Sequence, residues 1–599
     1  MATTATTATT TTTTTTTSAR GTRPVRIANC SGFFGDRLSA AKEMVDPAIT
    51  RDSPIDVLTG DWLAELTMLI LHKQRARNAD LGFASTFLTQ MEQVLGTCID
   101  QRIKVVTNAG GLNPSGCADR VRQLAERLGL SVNVAHIEGD DLMDRIDGLR
   151  PQLTNLDTRA AFTAAPVSAN AYLGGWGIAA ALHAGADVVV CPRVTDAAVV
   201  AGPAAWWWDW AVDDWDALAG GVVAGHVIEC GAQATGGNYS WFPTIPDLSR
   251  PPGFPIAEID VDGSMVITKH PRTGGLVDVG TVTAQLLYEI GAPQYLNPDV
   301  VSHFDTIQLE QLATDRVRVS GTRGTPGPPT TKVCINSDGG FRNRVTFVLT
   351  GLDQAAKAEW TTTALFDRLG GRQQFDEVDV HLAQAPSDAV GQEACSGKLH
   401  IHVKSGNERL VGRAFSSAAV ELALAGYPGF FVSSPPTEAQ PYGVYWPALV
   451  SNDEVRQIVV LDDGSRTIIP TPIVTGGPEP LDVDATPSAA PVGPVAGEPL
   501  GRHFAARSGD KGGNANVGIY ARDAAGYAWL YEHLTVEALA DLLPEARGLP
   551  IRRYELPNLH ALNFVIVGYL GEGVASSTAF DAQAKGLGEY LRSRPWPTT

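Results

Sequence analysis

The chain is poor in what several protein classes require. Its seven cysteines (30, 98, 117, 191, 230, 334 and 395) are scattered, odd in number and never form CxxC. That excludes a disulfide framework and a zinc knuckle, and fits a reducing, cytoplasmic setting. Basic charge is scarce: 46 Lys and Arg stand against 65 Asp and Glu, a net charge of -19. A broad nucleic-acid surface needs the opposite sign. No apolar run is long and clean enough to span a membrane. HExxH is missing, and so is the GxxxxGK[ST] spacing of a phosphate-binding Walker loop. What is present is globular composition, 44% hydrophobic and 19% charged over 599 residues, enough for more than one domain.

Residues 1–18 are almost pure Ala and Thr and cannot build a core. Residues 1–22 are read as a disordered tail. Arg20, Arg23 and Arg26 follow with no acidic residue before Asp36, so an organelle-targeting role is the alternative to a plain cytoplasmic tail.

From residue 23 onward, short apolar runs alternate with helical patterns. Ile103–Thr107 reads as a buried strand that breaks into Asn108, Gly110, Gly111, Asn113 and Pro114 before an amphipathic helix carrying Val121, Leu124, Leu128 and Leu130. The unit recurs: Val25–Ala28 runs into Asn29-Cys30-Ser31-Gly32, Ile55–Leu58 into Thr59-Gly60-Asp61, and Val132–Ile137 into Glu138-Gly139-Asp140. Asp187–Val190 runs into Cys191-Pro192-Arg193-Val194-Thr195-Asp196, and His226–Ile228, read as a sixth strand, into Glu229-Cys230-Gly231. Asp61 and Glu65, four apart, are placed on one helix face. Alternation of this kind predicts an α/β fold with a doubly wound, mostly parallel sheet, whose ligands bind beyond the carboxyl ends of the strands.

Beyond residue 250 the strand-like segments become short and alternating, among them Arg344–Leu349, which predicts a mixed α+β continuation to residue 470. Residues 471–499 contain seven prolines and read as a linker. Residues 500–595 predict a small α+β sandwich.

The chemistry-bearing groups gather at the predicted strand ends. Glu229, Asp196 and Asp61 are candidate acids and bases, because a carboxyl group in a closed cleft can hold its proton to near-neutral pH. Together they could also hold Mg²⁺ through oxygen ligands. Cys230 is a candidate nucleophile, with simple burial as the plain alternative. Ser31, Gly32, Asn108, Gly110, Gly111, Gly236, Gly237 and Asn238 are expected to bring backbone and polar groups to a ligand. Arg193 and Lys269 would neutralise an anionic substrate, and His270 would shuttle a proton. His400 and His402 share a strand face, as a metal pair or a solvated edge. Trp206-Trp207-Trp208 is packing or an apolar wall. In the small domain, Arg507-Ser508-Gly509-Asp510-Lys511-Gly512-Gly513-Asn514 reads as a loop too long for a minimal hairpin turn, with Arg507, Asp510, Lys511 and Asn514 facing an anion or forming a charged tip.

The runs VRIANCSGFFGDR, IDVLTGDWLAE, TNAGGLNP, DVVVCPRVTDAA, HVIECGAQATGGNYS, ITKHPRTGG, ARSGDKGGNANVG and RYELPNLHALNFVIVGYLGEG are spread over nearly the whole chain. As a set they resemble the acyclic terpene utilisation AtuA family. The resemblance implies a large N-terminal domain with a small ferredoxin-fold-like C-terminal domain, and a place in the breakdown of branched acyclic terpenoids such as citronellol and geraniol, alongside CoA-thioester chemistry. It assigns no residue a role. The expected function is a lyase or hydratase acting on a branched carboxylic acid or its CoA thioester. The alternatives are a cysteine-dependent ester or thioester hydrolase and a non-catalytic accessory subunit. Expected partners are a small anionic substrate and further copies of the same chain, with neither nucleic acid nor membrane.

Overall fold

The computed structural model describes residues 20–50, 53–470, 480–481 and 483–597. Most of the Thr-rich tail and the first part of the proline-rich segment lie outside the described residues. No described helix is long and apolar enough to cross a membrane.

The large domain is built on an eleven-stranded sheet. At its centre are five parallel strands: β1 (Val25–Asn29), β2 (Val57–Gly60), β3 (Lys104–Gly111), β4 (Val134–Glu138) and β5 (Val188–Pro192), in the order β1-β2-β3-β5-β4. Antiparallel strands extend both edges, with Pro255–Ile259 and Met265–Lys269 beyond β1, and Ile458–Val460 beyond β4. Successive side chains of a strand point to opposite faces, so each strand feeds two cores. Ile27, Val57, Val106 and Val189 pack on one face with Ile178, Val200 and Val223. Ala28, Leu58, Val105 and Val188 pack on the other with Phe87, Val94 and Leu124. Both faces being covered explains why the strands read as continuous apolar runs.

Three local expectations are corrected. His226–Ile228 is not a strand: it ends a helix, α1 (Trp215–Ile228). From Ala217 on, every residue of that helix is buried, so its apolar residues show no 3.6-residue stripe, and its last turn mimics a buried strand. Close packing makes this possible, since a Cβ on Gly225 would sit 2.6 Å from Ala197 Cα. Asp61 lies outside the helix that follows it, which begins only at Glu65. The short strand expected at Arg344–Leu349 is the far half of a 21-residue strand, Thr330–Thr350. This long strand organises a second sheet, pairing with Pro166–Ala171, Ser396–Ser405 and Gln440–Ser451.

The C-terminal domain is a four-stranded antiparallel sheet of β6 (Ala505–Lys511), β7 (Asn514–Tyr520), β8 (Ile551–Leu556) and β9 (Ala561–Ile566), in the order β6-β7-β9-β8. Val517, Ile519, Leu562 and Phe564 pack with Leu530, Leu539 and Leu591 of its helices. The end of the proline-rich segment is tied to this domain: Tyr527 donates its hydroxyl to Ala485 O at 3.0 Å, and Gly497 N donates to Trp596 O at 2.8 Å.

Candidate functional site

Where the parallel strands end, three carboxyl groups meet. Asp61 directly follows β2, Asp196 lies four residues past β5, and Glu229 caps the C-terminus of α1. One oxygen from each lies within 4.8 Å of the other two. Asp61 is 5% and Glu229 6% exposed. Asp61 Oδ1 accepts from Leu63 N at 2.9 Å and from the side-chain amide of Asn108, whose own oxygen accepts from Trp62 N at 2.8 Å. Glu229 Oε2 is buried without a hydrogen-bond partner, and Oε1 lies 3.7 Å from His226 Nδ1 one turn earlier. Burial pushes His226 down to about 3, so that ring is neutral at ordinary pH.

Crowded, buried carboxylates cannot all be ionised cheaply. Burial, then the charge of Asp196, pushes Asp61 up to about 7. Burial, then Asp196 and Asp61, pushes Glu229 well above the usual carboxylate range. Burial also raises Asp196, against the pull of Arg193. The cluster therefore holds a proton near neutrality. Its oxygens are also close enough together to ligate one divalent cation.

Arg193 supplies the nearest positive charge. It is 2% exposed, pairs with Asp196, donates to Leu63 O at 3.0 Å and lies 4.3 Å from the ring centre of Tyr172. Tyr172 donates its hydroxyl to Glu65 Oε1 at 2.8 Å, and Lys332 pairs with the same oxygen at 3.3 Å. Burial opposes the charge on Glu65, but Lys332 and Arg193 prevail and hold it down at about 2. Glu65 is thus a fixed anion beside a cluster that exchanges protons.

The far wall comes from the C-terminal domain. The run expected as a long loop is instead a tight hairpin: β6 and β7 pair as far as Lys511 and Asn514, leaving Gly512 and Gly513 as a two-residue turn. Gly512 takes φ +64°, the left-handed conformation that such turns require. Arg507, Asp510 and Asn514 are therefore strand residues. Lys511 projects toward the large domain and donates to Glu289 O at 2.9 Å, with its ammonium 5.6 Å from the ring centre of Tyr295. The residue is exposed. Burial, then the charge of Lys332, lowers its proton affinity, while Glu289, Glu65 and Asp196 raise it.

Glu289 itself has φ +55°, rare for a side-chain-bearing residue and strained there. The small domain holds it in place: its N–H donates to Asn516 Oδ1 at 2.8 Å, Asn516 Nδ2 donates to Leu287 O at 3.1 Å, and Asn563 Nδ2 to Gly291 O at 2.7 Å. Lys585 bridges Glu289 at 3.0 Å and Asp510 at 3.4 Å. Arg507 lies 4.0 Å over Tyr288 and bonds Gln233.

Of the residues singled out from sequence, Asp61, Asn108, Arg193, Asp196, Glu229, Cys230 and Lys511 gather around this cleft. Cys230 is a poor nucleophile there: burial, then Glu229, pushes its thiol well above the ordinary value. Several others serve packing or pairing. Ser31 bonds Phe33 O, and a Cβ on Gly32 would lie 2.6 Å from the Cys230 backbone. Gly110 and Gly111 lie within β3, with a Cβ on Gly110 2.5 Å from Cys191 O, and the next helix is capped by its own Asn113. Gly236, Gly237 and Asn238 form a turn, Gly236 and Asn238 with positive φ. Lys269 pairs with Asp315 at 2.9 Å, His270 bonds Met44 O, and Asn514 donates to Asp157 at 2.7 Å. His400 bonds Thr346, and Trp207 and Trp208 donate to backbone oxygens. Tyr172, Tyr288, Tyr295, Lys332 and Lys585 were missed, because each sits in a segment with no local motif.

Fold and site together define an α/β protein whose acidic cleft, at the carboxyl ends of its parallel strands, is walled by a hairpin from a second domain. Residues 25–461 match the acyclic terpene utilisation family protein AtuA, and residues 499–596 match the AtuA ferredoxin-like domain. The chain belongs to this family, whose description links it to terpenoid metabolism. No curated protein and no solved structure matches it.

Proposed function

We propose that the chain is an enzyme of branched, acyclic terpenoid-acid metabolism, a lyase or hydratase acting on a branched carboxylic acid or its CoA thioester. The observation that carries this reading is the meeting of Asp61, Asp196 and Glu229 within 4.8 Å in a buried cleft. Such a cluster contains an ionised carboxylate to take a proton from the carbon beside the substrate carbonyl, and a protonated carboxyl to deliver one to a leaving hydroxyl. Water then departs, or adds in the reverse direction. Arg507 and Lys511, with no carboxylate within 4 Å among the described residues, are the cations left to meet the substrate's anionic group. The protonated state of Cys230 argues against the hydrolase reading, and a proton-holding cleft argues against a purely accessory subunit.

The test is incubation with a panel of branched acyl-CoAs, free hydroxy acids and oxo acids, followed by mass spectrometry. Gain or loss of one water, or a carbon–carbon cleavage product, is expected, with Glu229→Gln slower by roughly 10²–10⁴-fold at an unchanged melting temperature. Thioester loss alone, or no turnover of any member, overturns the reading.

A further inference from the structure

The cations of the cleft are not equivalent. Arg193 is taken by Asp196, Lys332 by Glu65 at 3.3 Å, and Lys585 by Glu289 and Asp510. Lys511 alone among its lysines has no carboxylate within 4 Å among the described residues, and its ammonium makes a single bond, to a backbone carbonyl. It is exposed, backed by Tyr295, and fixed at the end of a two-residue hairpin that the large domain grips on both sides. A lysine needed only for charge balance would be expected to lie against one of the acids around it.

We propose that Lys511 is a covalent catalyst that forms an imine with a ketone group of the substrate, so that the cleft takes oxo acids. This rests on the acid–base reading above and narrows its substrate class. Burial and the charge of Lys332 favour the neutral amine that the reaction needs. The amine nitrogen attacks the ketone carbon. The carbonyl oxygen leaves as water, carrying the two hydrogens of the amine, and the imine nitrogen takes one proton from the Asp61–Asp196–Glu229 cluster. The resulting iminium accepts the electron pair released when a carbon–hydrogen bond on the adjacent carbon breaks, and a cluster carboxylate takes that proton, leaving an enamine. The enamine pushes out a hydroxyl one carbon further on, which takes the proton back from the cluster and leaves as water, and the iminium is re-formed. Water then hydrolyses the iminium, which restores the lysine and returns to the cluster the proton it lent. Arg507, stacked on Tyr288, remains to hold the substrate carboxylate.

Borohydride trapping tests this on the full-length protein, with acetoacetate and 4-oxopentanoate as probes. The expected result is a protein mass gain equal to the ketone less one oxygen atom. Peptide mapping of the wild-type protein should place it on Lys511, and Lys511→Arg should lose it while keeping its melting temperature. No adduct, or adducts spread over surface lysines and unchanged in Lys511→Arg, overturns the proposal. If Glu229→Gln loses turnover of the acid panel while Lys511 is never trapped, the acid–base reading stands and the imine falls. If Lys511 is trapped while no panel acid is turned over, the imine stands and the lyase reading falls.

Discussion

Asp61 shows how neighbours set the chemistry of one side chain. Its folded value of about 7 against an ordinary 3.8 means that folding takes up a proton between those pH values. The group therefore costs no stability below about pH 4, progressively more as pH rises to 7, and its full cost above that. Asp61→Asn keeps an oxygen for Leu63 N and for Asn108, and removes the charge. The variant is expected to melt like wild type at pH 4 and above it at pH 8, a difference that thermal scans at the two pH values measure. The same substitution withdraws one of the negative charges that raise Glu229. The ascending limb of kcat/KM against pH should then move to lower pH. A limb that stays in place would mean that Asp61 and Glu229 do not share a proton economy.

At the scale of elements, the small-domain hairpin is the part on which the site depends most directly. Gly513 has no room for a side chain, since a Cβ there would lie 2.2 Å from Gly571 O. Gly513→Ala must push the turn away from that carbonyl, and overpacking of this kind costs about 1–3 kcal/mol. The turn adjoins Lys511, so the displacement reaches the cleft. The expected outcome is a modest fall in the denaturation midpoint and a fall in kcat/KM of at least about ten-fold, equivalent to 1.4 kcal/mol at the transition state. A variant that loses stability but retains full activity per folded molecule would separate the hairpin from the chemistry. Helix α1 matters in a different way. Its burial on all sides places Glu229 at its C-terminus, where the helix dipole disfavours added negative charge and favours the protonated acid.

At the scale of the molecule, the two family domains meet beside the candidate site. Asn516, Asn563, Lys585, Arg507 and Lys511 of the small domain bond to Glu289 and its neighbours or to Gln233, and Ser240 of the large domain donates to Ala506 O at 2.8 Å. Proteolysis is expected within the proline-rich residues 471–499, by composition. Because the docking is made of buried polar and aromatic contacts, the nicked halves should still co-elute on size exclusion and retain activity, separating only in denaturant. A free C-terminal fragment in native buffer would show that these contacts do not hold the domains together once the chain is cut.

The sequence by itself determined the α/β alternation, the change of character near residue 250, the small second domain, and the polar residues that end β2, β3 and β5. These follow from local rules: apolar runs bounded by glycine, proline and polar breaks mark strands in any chain. Asp61, Asn108, Arg193 and Asp196 were legible for that reason. At Gly32 and Gly110 the structure shows close backbone packing, which the sequence did not separate from a ligand loop, because a glycine required by a neighbouring backbone and one required by a ligand look alike in one dimension. Only the tertiary structure decided that Glu229 arrives from a helix, that Lys269 is spent on Asp315, and that Lys511 ends a tight hairpin. It alone brought in Tyr172, Lys332 and Tyr295 from strands and loops with no motif of their own. Charge pairing and burial depend on which segments meet across long stretches of chain, and no local period carries that information.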